Sequence, residues 1–436
     1  MIGHQAGYCL YNGDYNTCIG EKAGYSIENN TYNTCIGYHA GQSMSSGNHN
    51  VAIGSYAGYC TTGSNNVNIG QNAGRQTHGD YENVNIGCAA GYGYSTSTSH
   101  YNVNIGSHAG RSINSGVSNV QIGYYSGEKT STGGYNIMIG HYAGASNQSG
   151  HNNICMGQDS GKHIYSGTYN IFMGYQAGYS ADRNNSSYAC TQNQMLGYRS
   201  GYNLREGDHN TCMGYQTGYY LTSHTYNTLI GSHAGHSVTG SHNVAIGSNS
   251  LYYCTTNNNT AVGNCAGHQN YAGDENVYLG YHAGYGYDNN TNSYNTIIGS
   301  HAGRSINRGD ENTMVGYYSG SNLNDGHRNI LMGSHAGRHM YNGEDNIILG
   351  YKAGYCLYNG QKNVFIGMEA GYHADRYSGS YICVSNQMIG YRSGYCLYNG
   401  DYNTCMGHEA GHKIENNHYN TCVGYRAGHD MSSGDN

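Results

Sequence analysis

The sequence predicts an all-β protein built as a parallel β-solenoid, and three observations carry that prediction. Apolar-Gly pairs recur from Ile2-Gly3 to Val423-Gly424, 25 copies in 436 residues, at a dominant spacing of 17. A 17-residue unit is too short for a helical repeat, since helix-pair repeats need about 33 residues or more. The composition is biased towards 70 Gly and 50 Tyr and contains neither Pro nor Trp. Collagen would need Gly at every third position together with abundant Pro, so the glycine must serve another fold. The first Gly of each unit is invariant and the second fails only at Leu251, so the two account for 49 of the 70 glycines.

Each unit opens on a strand of the form Asn-x-x-apolar-Gly, as in Asn33 to Gly37. The residues one and three after the Asn, such as Thr34 with Ile36 or Val51 with Ile53, share a side because strand side chains alternate. That β-branched face is read as the core. The Ala-Gly that follows is read as a tight corner in which Gly supplies positive φ, and a third Gly closes the loop. Gly20, Gly37 and Gly54 therefore mark one structural column, and Asn16, Asn33 and Asn50 another, in which stacked side chains bond to the copies above and below. Parallel strands in such a stack rise about 4.8 Å per rung, so about 25 rungs give a rod of roughly 120 Å.

The residue two after the Asn should face away from that core. In the second half of the chain this slot holds Leu229, Tyr278, Ile297, Met314, Leu331, Ile348 and Phe365. An exposed apolar row of this length is rare on an isolated soluble protein. It is therefore read as an interface, covered by another chain or a second layer.

A longer period lies above the rung. Met1-Ile2-Gly3 corresponds to Met195-Leu196-Gly197 and to Met388-Ile389-Gly390, and the 19- and 23-residue rungs recur at the same places. The two Phe, Phe172 and Phe365, also correspond. The chain thus reads as two eleven-rung blocks, 1–194 and 195–387, and the start of a third, 388–436, in one continuous solenoid. Neither end carries an atypical capping rung, so stacking is expected to continue beyond both, within one polypeptide or head to tail between chains.

The unit N-[TV]-x-I-G-x-x-A-G resembles the repeats of trimeric autotransporter adhesin heads and of related phage, bacterial and giant-virus fibre proteins. Asn249-Ser250-Leu251-Tyr252 followed by Asn258-Asn259-Thr260-Ala261-Val262-Gly263 matches the fibre version most closely. The resemblance implies a left-handed β-roll, commonly with three chains sharing a core, in a surface fibre. Adhesin heads use a shorter unit, and no anchor, stalk or chaperone segment is visible in the sequence.

Charge and chemistry narrow the function. Only 10% of residues are charged, the net charge is −7 and the mean hydropathy is −0.66. Nucleic acid is an unsuitable partner for such a surface, and no apolar run reaches the length of a membrane span. Tyr8, Tyr25 and Tyr59 belong to a column expected to stack as a ladder, with sugar or neighbouring-fibre contact as the functional alternative. Cys18 with Cys35, and Cys405 with Cys422, occupy one slot on adjacent rungs within disulfide reach, yet that slot also takes Ala and Leu and reads better as a small buried hydrophobe. Cys190 and Cys383 are the first choices for a link between chains. Sequons at Asn29, Asn147, Asn184, Asn185, Asn258 and Asn289 fall in the loop half of the rung, where a glycan could be carried. The repeated His slot of His39, His108, His233, His282, His301 and His335 assembles no four-ligand set, so neither metal, cofactor nor enzymatic activity is expected. Ice binding is disfavoured because the Thr column is interrupted and assigned to the core. The reading is a structural extracellular or virion-surface fibre formed by self-association, with a glycan-recognising adhesin or tail-fibre segment as the alternative.

Overall fold

The computed structural model describes all residues except 95–97, 183–188, 288–289, 376–381, 399 and 432–436. The chain is an all-β parallel β-solenoid of about 23 turns. It divides into two compact units, Met1–Thr225 and Tyr226–Asn436. The first holds twelve three-residue strands, from Thr17–Ile19 to Thr211–Met213. The second holds twelve more, from Thr228–Ile230 to Thr421–Val423, together with four two-residue strands. Those pair in parallel as Ser237–Val238 with Tyr253–Cys254 and Lys413–Ile414 with Asp430–Met431. No helix among the described residues is long and apolar enough to cross a membrane.

Within each unit the strands pair one rung apart, residue for residue. Cys18 lies opposite Cys35, and Cys35 opposite Ala52. The long rungs leave the register intact: Asn85 still meets Asn104, Phe172 meets Met195, and Phe365 meets Met388.

The assignment of faces is reversed from the prediction. The mid-strand residue points inward and is sealed from solvent, while its two β-branched neighbours lie outward. Leu229, Tyr278, Ile297, Met314, Leu331, Ile348 and Phe365 are all fully buried within their own unit. They are core residues and not an interface. The cause is the Asn, which shares a side with the mid-strand residue and whose amide bonds make an inward position favourable. Asn136 donates from Nδ2 to the Gly150 carbonyl at 2.8 Å, and its Oδ1 accepts the Asn153 backbone N–H at 2.9 Å. Buried amides paired in this way carry little desolvation cost. The same bonds join Asn16, Asn33 and Asn50, where each Oδ1 accepts the next Asn N–H at 2.9 Å.

Two further columns complete the core. One is the corner alanine, Ala23, Ala40 and Ala57. The other stands seven residues after the rung Gly, in the half of the unit that reads as loop. It holds Ile27, Met44, Ile113 and Leu204 in the first unit and Ile306, Leu323, Met340 and Leu357 in the second, all buried. In part of the first unit the mid-strand column is polar: Asn85 Nδ2 donates to Asn68 Oδ1, and Asn104 Nδ2 to Asn85 Oδ1, both at 2.8 Å.

Backbone close approach explains the two glycines. The rung Gly holds φ near +130°, and a Cβ on Gly37 would sit 2.6 Å from the Gly54 carbonyl oxygen. The corner Gly41 has φ +56°, and a Cβ there would meet Cys35 Sγ and Met44 Sδ at 2.6 Å. Residues with side chains also take left-handed backbone at two recurrent points, before the Asn (Tyr32, His49) and two after the rung Gly (His39, Tyr56).

Candidate functional site

Because the strand alternates, its two outward positions form a double stripe along each unit, one pair per rung. Across all 24 three-residue strands these positions hold only Thr, Val, Ile, Leu and Met, apart from Gln194 and Gln387. None is charged. Met173 and Met213 in the first unit, and Leu279, Ile330, Met332 and Ile347 in the second, are exposed members of the stripe.

Aromatic rings occupy the outward loop positions and stack from rung to rung. Tyr8 lies on Tyr25 with ring centroids 5.1 Å apart and planes 8° apart. In the second unit Tyr355, Tyr372, Tyr395, His412 and His429 form one continuous stack at 4.7 to 5.1 Å. Tyr59 does not join a simple ladder; it tilts against Tyr56 at 5.6 Å and shares the guanidinium of Arg75 with it. The recurring His column leaves no group of three or more metal-ligating side chains among the described residues. Burial lowers the His108, His282, His301 and His335 pKa values, which favours neutral rings in the stacks.

The second unit also carries a groove of about 690 Å³. Its walls follow from alternation around the buried column seven after the rung Gly. The residues before that column, Ser305, Asn322, His339 and Cys356, form one wall, and those after it, Asn307, Asn324, Tyr341, Tyr358 and Asp375, form the other. Ile306, Leu323, Met340 and Leu357 lie beneath. Tyr341 stacks on Tyr358 at 5.4 Å and 6°, and its hydroxyl accepts from Asn324 Nδ2 at 2.7 Å. Tyr287 closes one end, its hydroxyl 3.2 Å from Ser305 Oγ. Asp375 is the single charged residue of the lining, and its Oδ2 accepts the Asn359 N–H at 3.2 Å. None of these side chains was singled out by the sequence. The signal that would have found them is the same buried column, whose two flanks must face outward.

The other predicted sites divide. All fifteen cysteines are free thiols. Cys18 faces Cys35 and Cys405 faces Cys422 in the core column without a bond between them. Cys190 and Cys383 are buried, so they do not reach another chain; each supplies a carbonyl to the Asn ladder, Cys190 to Asn170 Nδ2 at 2.9 Å and Cys383 to Asn363 Nδ2 at 2.8 Å. Desolvation pushes the Cys155 thiol up to about 12, well away from reactive thiolate. Asn147 is also buried, with Oδ1 accepting the Gly150 N–H at 2.8 Å, so it does not offer its amide to a glycan in the fold. Asn29 and Asn258 are exposed, whereas Asn184, Asn185 and Asn289 lie outside the described residues.

No protein-family model matches the chain, and neither the curated proteins nor the solved structures include a significant match to it.

Proposed function

We propose that the protein is a structural component of an extracellular or virion-surface fibre that assembles by self-association through the outward strand stripe. The uncharged double stripe is the observation that carries this reading. Soluble monomers rarely leave a long strip of uncharged, mostly apolar side chains in water, and a strip whose side chains recur at the strand spacing of about 4.8 Å is matched best by a second strip of the same repeat. A homo-oligomer, such as a trimer with the stripes turned towards one axis, satisfies that requirement, and the resemblance to trimeric fibre heads points the same way. Lysines placed at Ile330, Met332 and Ile347 should leave the fold intact, because these positions are outward, and should shift the native mass to that of the monomer. A wild-type chain that is monomeric at high micromolar concentration would sink the proposal.

A receptor-binding fibre segment is the second reading, and the groove of the second unit is what favours it. Its walls combine aromatic faces with converging carboxamides and hydroxyls, the make-up of a small-ligand site, and its volume lies within the usual range for one.

A further inference from the structure

We infer that Tyr15 with Tyr32, and Tyr402 with Tyr419, are sites of oxidative cross-linking at which a peroxide-driven one-electron oxidant joins each pair into a dityrosine; this goes beyond the fibre reading and does not depend on it. The four rings stand in the slot before the ladder Asn, where the backbone is left-handed from rung to rung: φ is +60° at Tyr15 and Tyr32, +57° at Tyr402 and +63° at Tyr419. That conformation suits Gly or Asn and is costly for a bulky side chain. Nine of the residues in this slot are nonetheless tyrosines, and all nine are exposed. Ser118, Asn152, Glu275 and Lys362 hold the same slot, so the fold does not call for a ring there. A strained, solvent-facing aromatic that the fold does not need points to chemistry at the surface.

In these two pairs one tyrosine of the slot follows another on the adjacent rung. Tyr15 lies on Tyr32 with ring centroids 4.8 Å and planes 10° apart, and Tyr402 lies on Tyr419 at 5.1 Å and 3°. The Asp14 carbonyl accepts the Tyr32 N–H and the Asp401 carbonyl accepts the Tyr419 N–H, both at 3.1 Å, which fixes each pair of backbones one rung apart. The four residues are 49% to 76% exposed, so an oxidant can reach the rings and the rings have room to turn. The pairs also correspond across the duplication, Asp14-Tyr15-Asn16 with Asp401-Tyr402-Asn403 and Tyr32-Asn33 with Tyr419-Asn420.

The phenols and the peroxide balance the step between them. The oxidant takes one electron from each phenol, and each hydroxyl proton passes to water. The two phenoxyl radicals carry unpaired density on the ring carbons beside the oxygen-bearing carbon, the Cε atoms, and one Cε of each ring forms the new C–C bond. The hydrogens on those two carbons then move to the oxygens, which restores both hydroxyls. The pair has lost two electrons and two protons, and hydrogen peroxide gains them and leaves as two waters. Stacking favours coupling within the pair, because the partner ring already lies beside the first radical at an effective concentration that a second chain does not match. The bond ties one rung to the next and restrains its opening.

The test uses the full chain at low micromolar concentration, as an equal mixture of isotopically heavy and light forms with accessible thiols capped by iodoacetamide, treated with a haem peroxidase and hydrogen peroxide. Dityrosine fluorescence should rise. Peptide mass spectrometry should find the Tyr15–Tyr32 and Tyr402–Tyr419 peptides joined with the loss of two hydrogen atoms, each within one isotopic form. Tyr32→Phe combined with Tyr419→Phe keeps both ring stacks and should remove most of the fluorescence. Tyr135 is also exposed in this slot but has Ser118 and Asn152 on the adjacent rungs, so it should stay unlinked. Asn152→Tyr supplies the missing neighbour and should create a third link, from position 152 to Tyr135 or Tyr169, with an unchanged unfolding temperature as the check that the variant is folded. In the cross-linked chain, amide exchange at Thr17–Ile19 and Thr34–Ile36 should slow roughly tenfold. Links that map to other tyrosines, that join heavy to light chains, or that persist in the double Phe variant would overturn the proposal. So would peroxidase treatment that yields no dityrosine, or a folded Asn152→Tyr chain without the third link.

Discussion

Gly37 shows how little freedom a single rung position has. Its φ of +133° lies in a region that L side chains rarely adopt, and a Cβ would overlap the carbonyl of Gly54 on the next rung. Gly37→Ala must therefore displace backbone that is paired on both sides. The expected cost is about 3 kcal/mol or more, read as faster amide exchange in the rungs around Cys35 than in rungs further along the unit. Asp80 is constrained differently. It is fully buried, its carboxylate accepts the Ser99 N–H at 2.6 Å and hydroxyl at 2.8 Å, and burial still pushes its pKa up to about 6. Since an unfolded aspartate titrates near 3.8, the fold binds this proton more tightly than the unfolded chain does. Its contribution is complete below pH 3.8 and is lost as pH rises through about 6. The penalty at neutral pH is about 3 kcal/mol at 1.36 kcal/mol per pH unit. Asp80→Asn should flatten the dependence of first-unit stability on pH between 4 and 6, measured by urea unfolding at a series of pH values.

One strand is enough to test which way the sheet faces. In Ile330–Met332 the middle residue, Leu331, is fully buried and its neighbours are exposed. Leu331→Ala should cost about 2–5 kcal/mol through the cavity it leaves. Ile330→Thr should cost less than about 1 kcal/mol, a contrast that chemical denaturation of the two variants would expose. The reverse ranking would restore the face assigned from sequence. That assignment failed for a physical reason. Strand location, rung length and the glycine corners are all written in the spacing, and the structure follows them. The phase was misread because the β-branched residues were taken as core, whereas the Asn ladder, expected from the sequence, lies inside and brings the mid-strand residue in with it. Asn68, Asn85 and Asn104 show that the inward mid-strand slot also accepts amides where they bond to one another from rung to rung. The buried column at Ile306, Leu323 and Met340 was missed because one inward residue among loop residues has no periodicity of its own. The groove beside it was missed for the same reason.

Acid should act unequally on the two units. Burial lowers the pKa of His268, His282, His301, His335, His339, His373 and His412 in the second unit, and that of His236 falls to about 4. In the first unit the lowered values described are those of His100, His108 and His224. A histidine held neutral by the fold contributes stability above pH 6.5 that drains away as pH falls towards 4. Hydrogen exchange corrected for intrinsic rate should show the second unit loosening first between pH 7 and pH 5, and equal loosening would contradict this account. The left-handed residues bear on how such a coil arises. Tyr32, His39, His49 and Tyr56 each hold a backbone that costs roughly 1 kcal/mol outside its context. A lone turn has no neighbour to offset that cost, so it is unstable until another turn lies against it. Formation is then a nucleated zipper: the first two or three coils are the slow event, and each later coil is copied onto the one before. Refolding should show a lag set by that seed and a growth phase that lengthens with the number of repeats, behaviour closer to templated polymerisation than to the collapse of a globule.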